Sequence, residues 1–139
     1  MRDEDFLRAI LDVSILYVDM FEQSQLSDSK TGVRKVQKLR FGFCTCADCE
    51  NIKWIAHSNK KNQAILVSKK GFENELTNKA NKGMGFFILI YTLMREYLRL
   101  LHPYSSDKTL QAKARKYFKK AMQIVAKDAS KVLMNRPAT

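Results

Sequence analysis

Apolar residues at Phe6, Ile10, Val13, Tyr17, Met20 and Phe21 recur mostly at spacings of three and four, the period of a helix that buries one face. Asp3 or Asp5 can cap its start, where acids also suit the positive end of the helix dipole. The pattern predicts a first helix over about residues 4–23. Residues 24–32 (SQLSDSKTG) read as a loop, and the period then changes to two. Leu39, Phe41 and Phe43 alternate with Lys38, Arg40 and Gly42, which places the three apolar side chains on one face as core; Ile52, Trp54 and Ala56 alternate in the same way. After the turn-like Asn59-Lys60-Lys61-Asn62, the run AILV at residues 64–67 supplies a third strand. These strands predict an antiparallel meander, residues 39–44 and 51–57 forming a hairpin about a turn at Ala47-Asp48.

Lys69-Lys70-Gly71 closes the sheet segment. Helical pattern resumes at Phe72, is interrupted by Gly83 and Gly85, and continues to Leu101, where Pro103 ends it. Ser105, Ser106 or Asp107 caps a last helix that runs to about Met134, and residues 135–139 read as a frayed tail. The expected fold class is α+β: an N-terminal helix, a short three-stranded antiparallel meander and two C-terminal helices, in one compact domain over residues 1–139. No repeat, low-complexity tract or long linker divides the chain.

The longest apolar run, MGFFILIYTLM at residues 84–94, is followed at once by Arg95 and Glu96. A membrane span needs about 20 such residues, so the run predicts a buried helix, and no membrane partner is expected. The start is acidic where a secretory leader would be basic, and three cysteines within six positions do not make a disulfide framework. An intracellular protein, of cytoplasm or nucleus, is the expectation. An oligomer is compatible with the sequence, which does not specify one.

Charge says more about partners. The first 28 residues hold two cations and seven acids, net −5, whereas residues 29–139 carry +16, a sign asymmetry that points toward a polyanion. In the last helix Leu110, Ala114, Tyr117, Phe118, Ala121, Ile124, Val125 and Val132 fall on one arc, with Asp128 among them. Lys113, Arg115, Lys116, Lys119, Lys120, Lys127 and Lys131 fall outside it, and Lys60, Lys61, Lys69 and Lys70 add two basic turns. Such a face can neutralise phosphates and release condensed counterions, so the expected function is non-enzymatic nucleic-acid binding. The alternative is a small interaction or inhibitor protein that docks on a partner protein, an acidic one for its basic surface, or through the acidic first helix.

Cys44, Cys46 and Cys49 (CTCADC) are all the cysteines, and three thiolates in one loop can meet at a tetrahedral ion such as zinc. The fourth ligand is unplaced. In the predicted hairpin His57 lies near Lys38, roughly 20 Å from Cys44 at about 3.3 Å per residue; Asp48, Glu50, His102 or another chain have no characteristic spacing. Ordinary reduced thiols are therefore the expected state, with structural zinc or a redox-sensitive pair as the alternatives. There are two histidines, His57 and His102, and no nucleophile elbow, phosphate loop or metalloprotease motif, so no catalytic residue is expected. Arg95-Glu96 reads as the point where an apolar helix emerges to solvent, and His102 as a helix-end residue interacting with the dipole.

Overall fold

The computed structural model describes residues 3–25, 39–51, 55–77 and 84–134. Part of the predicted 24–32 loop, Lys38, Ile52, Trp54, Gly83 and the 135–139 tail lie outside the described residues. Among those described there are five helices and a three-stranded sheet: α1 Asp3–Gln25, β1 Arg40–Cys44, α2 Ala47–Glu50, β2 Ala56–Asn59, β3 Ala64–Ser68, α3 Lys69–Thr77, α4 Gly85–Leu101 and α5 Asp107–Met134.

The sheet is mixed, not the antiparallel meander expected from the sequence. Its order is β1-β3-β2: β1 runs parallel to β3 with Cys44 opposite Ser68, and β2 runs antiparallel to β3 with His57 opposite Leu66. The physical reason lies in the two segments that the hairpin would have joined. Residues 47–50 coil into α2, closed by the Glu50 N–H donating to the Cys46 carbonyl at 2.9 Å, so no tight turn returns β1 on itself. The continuous run Ala64-Ile65-Leu66-Val67 suits a strand with neighbours on both edges and cover on both faces, the central place it takes.

Phe41, Phe43, Ile65, Val67 and Ala56 share one face and join the hydrophobic core with α1, α3 and α4. Phe43 and Phe6 each meet Phe72 of α3 edge-on, at 5.2 and 6.2 Å between ring centroids. Leu39 also packs against this core, as the alternation predicted. α4 is the central helix, buried along most of its length by α1, α5, β2 and α3.

The helix pattern differs from expectation in three places. α1 buries Leu7, Ile10, Leu11, Val18 and Phe21, while Val13 and Met20 face solvent at 37% and 43% exposure, because apolar residues line two sides of this helix and packing on α4 selects one. The stretch read as one interrupted helix is two, α3 and α4, and Lys69 and Lys70 form the first turn of α3. Gly85 marks where they touch: a Cβ there would stand 1.8 Å from the Glu75 carbonyl oxygen. α5 outruns its neighbours. With Phe118 opposite Tyr91 and Lys113 beside His102, α4 and α5 are antiparallel, so at one residue per residue the start of α4 is passed near residue 124. From Val125 to Lys131 every side chain is exposed, Val125 included, although periodicity assigned it to the core.

Truncating Phe72, fully buried against Phe6 of α1 and Phe43 of β1, is expected to lower unfolding stability by about 3–4 kcal/mol, read from the urea midpoint of Phe72→Ala.

Candidate metal centre

Three short elements converge on one face of the sheet. Cys44 ends β1, Cys46 precedes α2 in extended backbone (φ −63°, ψ 165°), Cys49 lies fully buried in α2, and His57 is the second residue of β2. The partners of Cys44 and His57 on β3, Ser68 and Leu66, are two residues apart, so both side chains rise from the same side of the sheet, the side away from the Ile65 and Val67 core. The three sulfurs and an imidazole nitrogen all lie within 4.8 Å of one another. The expectation that His57 lies far from the cysteines is thus overturned: it assumed that β1 pairs with β2, whereas β3 separates them and brings His57 alongside.

The loop is organised around its sulfurs. The Cys46 thiol is held below its ordinary range, first by the Cys49 backbone N–H donating to its sulfur, then by the neighbouring Cys44 and Cys49 thiols, and last by the Asp48 N–H; slight burial opposes this. Ser68 fixes the far side. Its hydroxyl donates to the Cys49 carbonyl at 2.8 Å and accepts from the Gly71 N–H at 2.9 Å, joining α2 to the start of α3. Three cysteines and one histidine gathered this compactly can hold a metal ion.

Two carboxylates that the sequence did not mark as buried are enclosed by partners. Glu22, 5% exposed, accepts from His102 Nε2 at 2.6 Å and from the Tyr117 hydroxyl at 3.1 Å, and pairs with Lys113 Nζ at 3.0 Å. Burial pushes its carboxyl up, but the hydrogen bonds and charges of His102 and Lys113 outweigh that and hold it below the ordinary carboxylate range. The Tyr117 phenol is pushed up by burial, then by Glu22. Glu96 is 3% exposed rather than at a helix exit: it accepts from the Ser58 hydroxyl at 2.8 Å and pairs with Arg95 and Arg99. His102 caps α4, but its ring serves Glu22.

The predicted basic residues divide accordingly. Lys113, expected on the open face, is instead half-buried against Glu22, because the α5 face just outside the apolar arc meets the end of α1. Lys60 is exposed but donates to the Pro103 carbonyl at 2.7 Å, tying the β2–β3 turn to the α4–α5 connection. Arg115, Lys116, Lys119, Lys120, Lys127 and Lys131 are exposed along α5 and make no ion pair among the described residues, as do Lys61, Lys69 and Lys70 elsewhere. Lys120 also lies over the Phe21 ring.

Fold and site together define the class: a mixed helix-and-sheet chain with a donor cluster of three cysteines and a histidine on one sheet face, and a cationic helix. No protein-family model, curated protein or solved structure matches it. No helix among the described residues is long and apolar enough to cross a membrane.

Proposed function

We propose that this chain is a non-enzymatic nucleic-acid-binding protein that contacts phosphates through α5. The observation that carries the reading is the set of exposed cations along that helix: Lys108 near its start, then Arg115, Lys116, Lys119, Lys120, Lys127 and Lys131, none engaged by an acid among the described residues. A 28-residue helix is about 42 Å long, and its overhanging end leaves Lys127 and Lys131 open from several directions. Cations so arrayed exchange condensed counterions for phosphate contacts and read backbone rather than base, so little sequence preference is expected. Lys61, Lys69 and Lys70 extend the basic surface; Lys113 is committed to Glu22 and drops out of the contact set. The buried Glu22 and Glu96 clusters are internally paired, which favours a structural over a catalytic use for them.

Fluorescence anisotropy with a mixed-sequence oligonucleotide at ~50 mM salt tests this. Converting Lys116, Lys119 and Lys120 to Glu is expected to lower affinity at least about a hundredfold with only a small fall in melting temperature, since all three are exposed and what is lost from the fold is the surface contact of Lys120 with the Phe21 ring. Unchanged binding in the triple variant would remove the reading. The second reading, a protein-interaction or inhibitor module, is favoured by α1, where Val13, Leu16 (60% exposed) and Met20 form an apolar stripe beside Asp12 on an acidic helix. A protein interface anchored there would keep most of its affinity as salt rises, whereas phosphate binding loses orders of magnitude.

A further inference from the structure

We infer that Cys44, Cys46, Cys49 and His57 form a structural zinc site that clamps β1, α2 and β2 across the central strand. This stands independently of nucleic-acid binding. Zinc bound to three thiolates and an imidazole has bond lengths of about 2.3 Å to sulfur and 2.0–2.1 Å to nitrogen, which place the four donors about 3.5–3.8 Å apart. The donors here are already within 4.8 Å of one another, so shifts of about 1 Å bring them to that spacing. Soft sulfur donors in the majority exclude calcium and magnesium, which take oxygen, and a set of three sulfurs with one imidazole nitrogen is a tetrahedral zinc set. All four positions come from protein, leaving no place for an activated water; the site holds structure rather than performing hydrolysis.

Two further features fit that assignment. Zinc with three thiolates and a neutral imidazole carries net −1, and Lys69 and Lys70 begin α3 immediately after Ser68, the residue bonded to the Cys49 carbonyl. Ser68 is thus a positioning residue: fully buried, it holds the peptide that carries Cys49 while accepting from Gly71. The mechanical case is equally local. The three strands have five, four and five residues, and outer strands that never pair with each other gain a direct link only through the ligands they present over β3. Metal affinity then adds directly to folding stability, because the unfolded chain offers no preformed site.

The test uses the full chain purified without chelator. Elemental analysis is expected to find one zinc per chain, and exchange into cobalt to produce the visible absorption of a tetrahedral ion together with a thiolate-to-metal charge-transfer band. Cys49→Ser is expected to abolish both. His57→Cys, which keeps four soft donors, retains zinc, whereas His57→Ala weakens it. Ser68→Ala retains the cobalt spectrum but lowers affinity about tenfold, the effect of losing an outer hydrogen bond. Should the Cys49 variant fail to fold, cobalt titration of chelator-treated wild type gives the answer by itself. Substoichiometric zinc with no tetrahedral cobalt spectrum overturns the assignment, as does a disulfide among the three cysteines found by mass spectrometry of protein handled under reducing conditions.

Discussion

Gly85→Ala is expected to destabilise the protein by about 3 kcal/mol, more than one methyl group usually costs, and to be read as a shift of the urea midpoint with little change in slope. The added Cβ would lie 1.8 Å from the Glu75 carbonyl oxygen and 2.5 Å from its carbon. Both are backbone atoms inside α3, so no side-chain rotation relieves the contact, and the helices must part. α3 carries Phe72 into the core against Phe6 and Phe43, which spreads the cost beyond the contact itself. Gly42 is the control. A Cβ there meets nothing within 4 Å, and glycine is a poor strand residue, so Gly42→Ala is expected to be neutral or slightly stabilising. Equal effects at both positions would mean that α3 and α4 do not approach as closely as the geometry requires.

Glu22→Ala is expected to cost about 2–3 kcal/mol, because it strips a buried anion from Lys113, His102 and the Tyr117 hydroxyl and leaves them facing one another. The sign of its pH dependence follows from the direction of its shift. The folded carboxyl titrates below the ordinary glutamate value, so between the two values the unfolded chain binds the extra proton and stability rises with pH. The contribution is fully present above about pH 5 and is lost as pH falls through the folded value. Wild type should therefore lose stability on acidification more steeply than Glu22→Gln, in melting temperatures measured from pH 6 down to pH 3. Parallel curves would show that the network is not held by charge.

The sequence showed α5 most clearly, since Leu110, Ala114, Tyr117 and Ala121 obey one period and all four are buried. It did not show where α5 leaves the body, because Val125 obeys the same period and only the length of α4 decides whether it has a neighbour. β1 was legible from alternation and β3 from its apolar run. The second expected strand, 51–57, meets the observed β2, Ala56–Asn59, only at Ala56 and His57 among the described residues. The strand order was not legible, because it depends on which backbone edges meet. The continuous apolar run at residues 64–67 carried the missing information: both faces of that strand needed cover, which is the mark of a central strand. His57 was lost with the same error, since a ligand on a second strand is near or far according to pairing alone. Glu22 offered no local sign at all. Its partners His102 and Tyr117 lie 80 and 95 residues further on, and a carboxylate in an acidic helix looks solvated until they arrive.

That separation also governs how the chain can reach its native state. α1 packs side by side with α4, its Asp19 receives a hydrogen bond from Tyr97, and its Glu22 is completed only by α4 and α5. β1 likewise waits for β3, since its neighbour in sequence is not its neighbour in space. Contacts this distant in sequence slow folding, because loop closure is paid in entropy before any of them forms. During synthesis the first helix therefore emerges with two apolar sides and a carboxylate that has no counterion, and the last third of the chain must leave the ribosome before it can be buried.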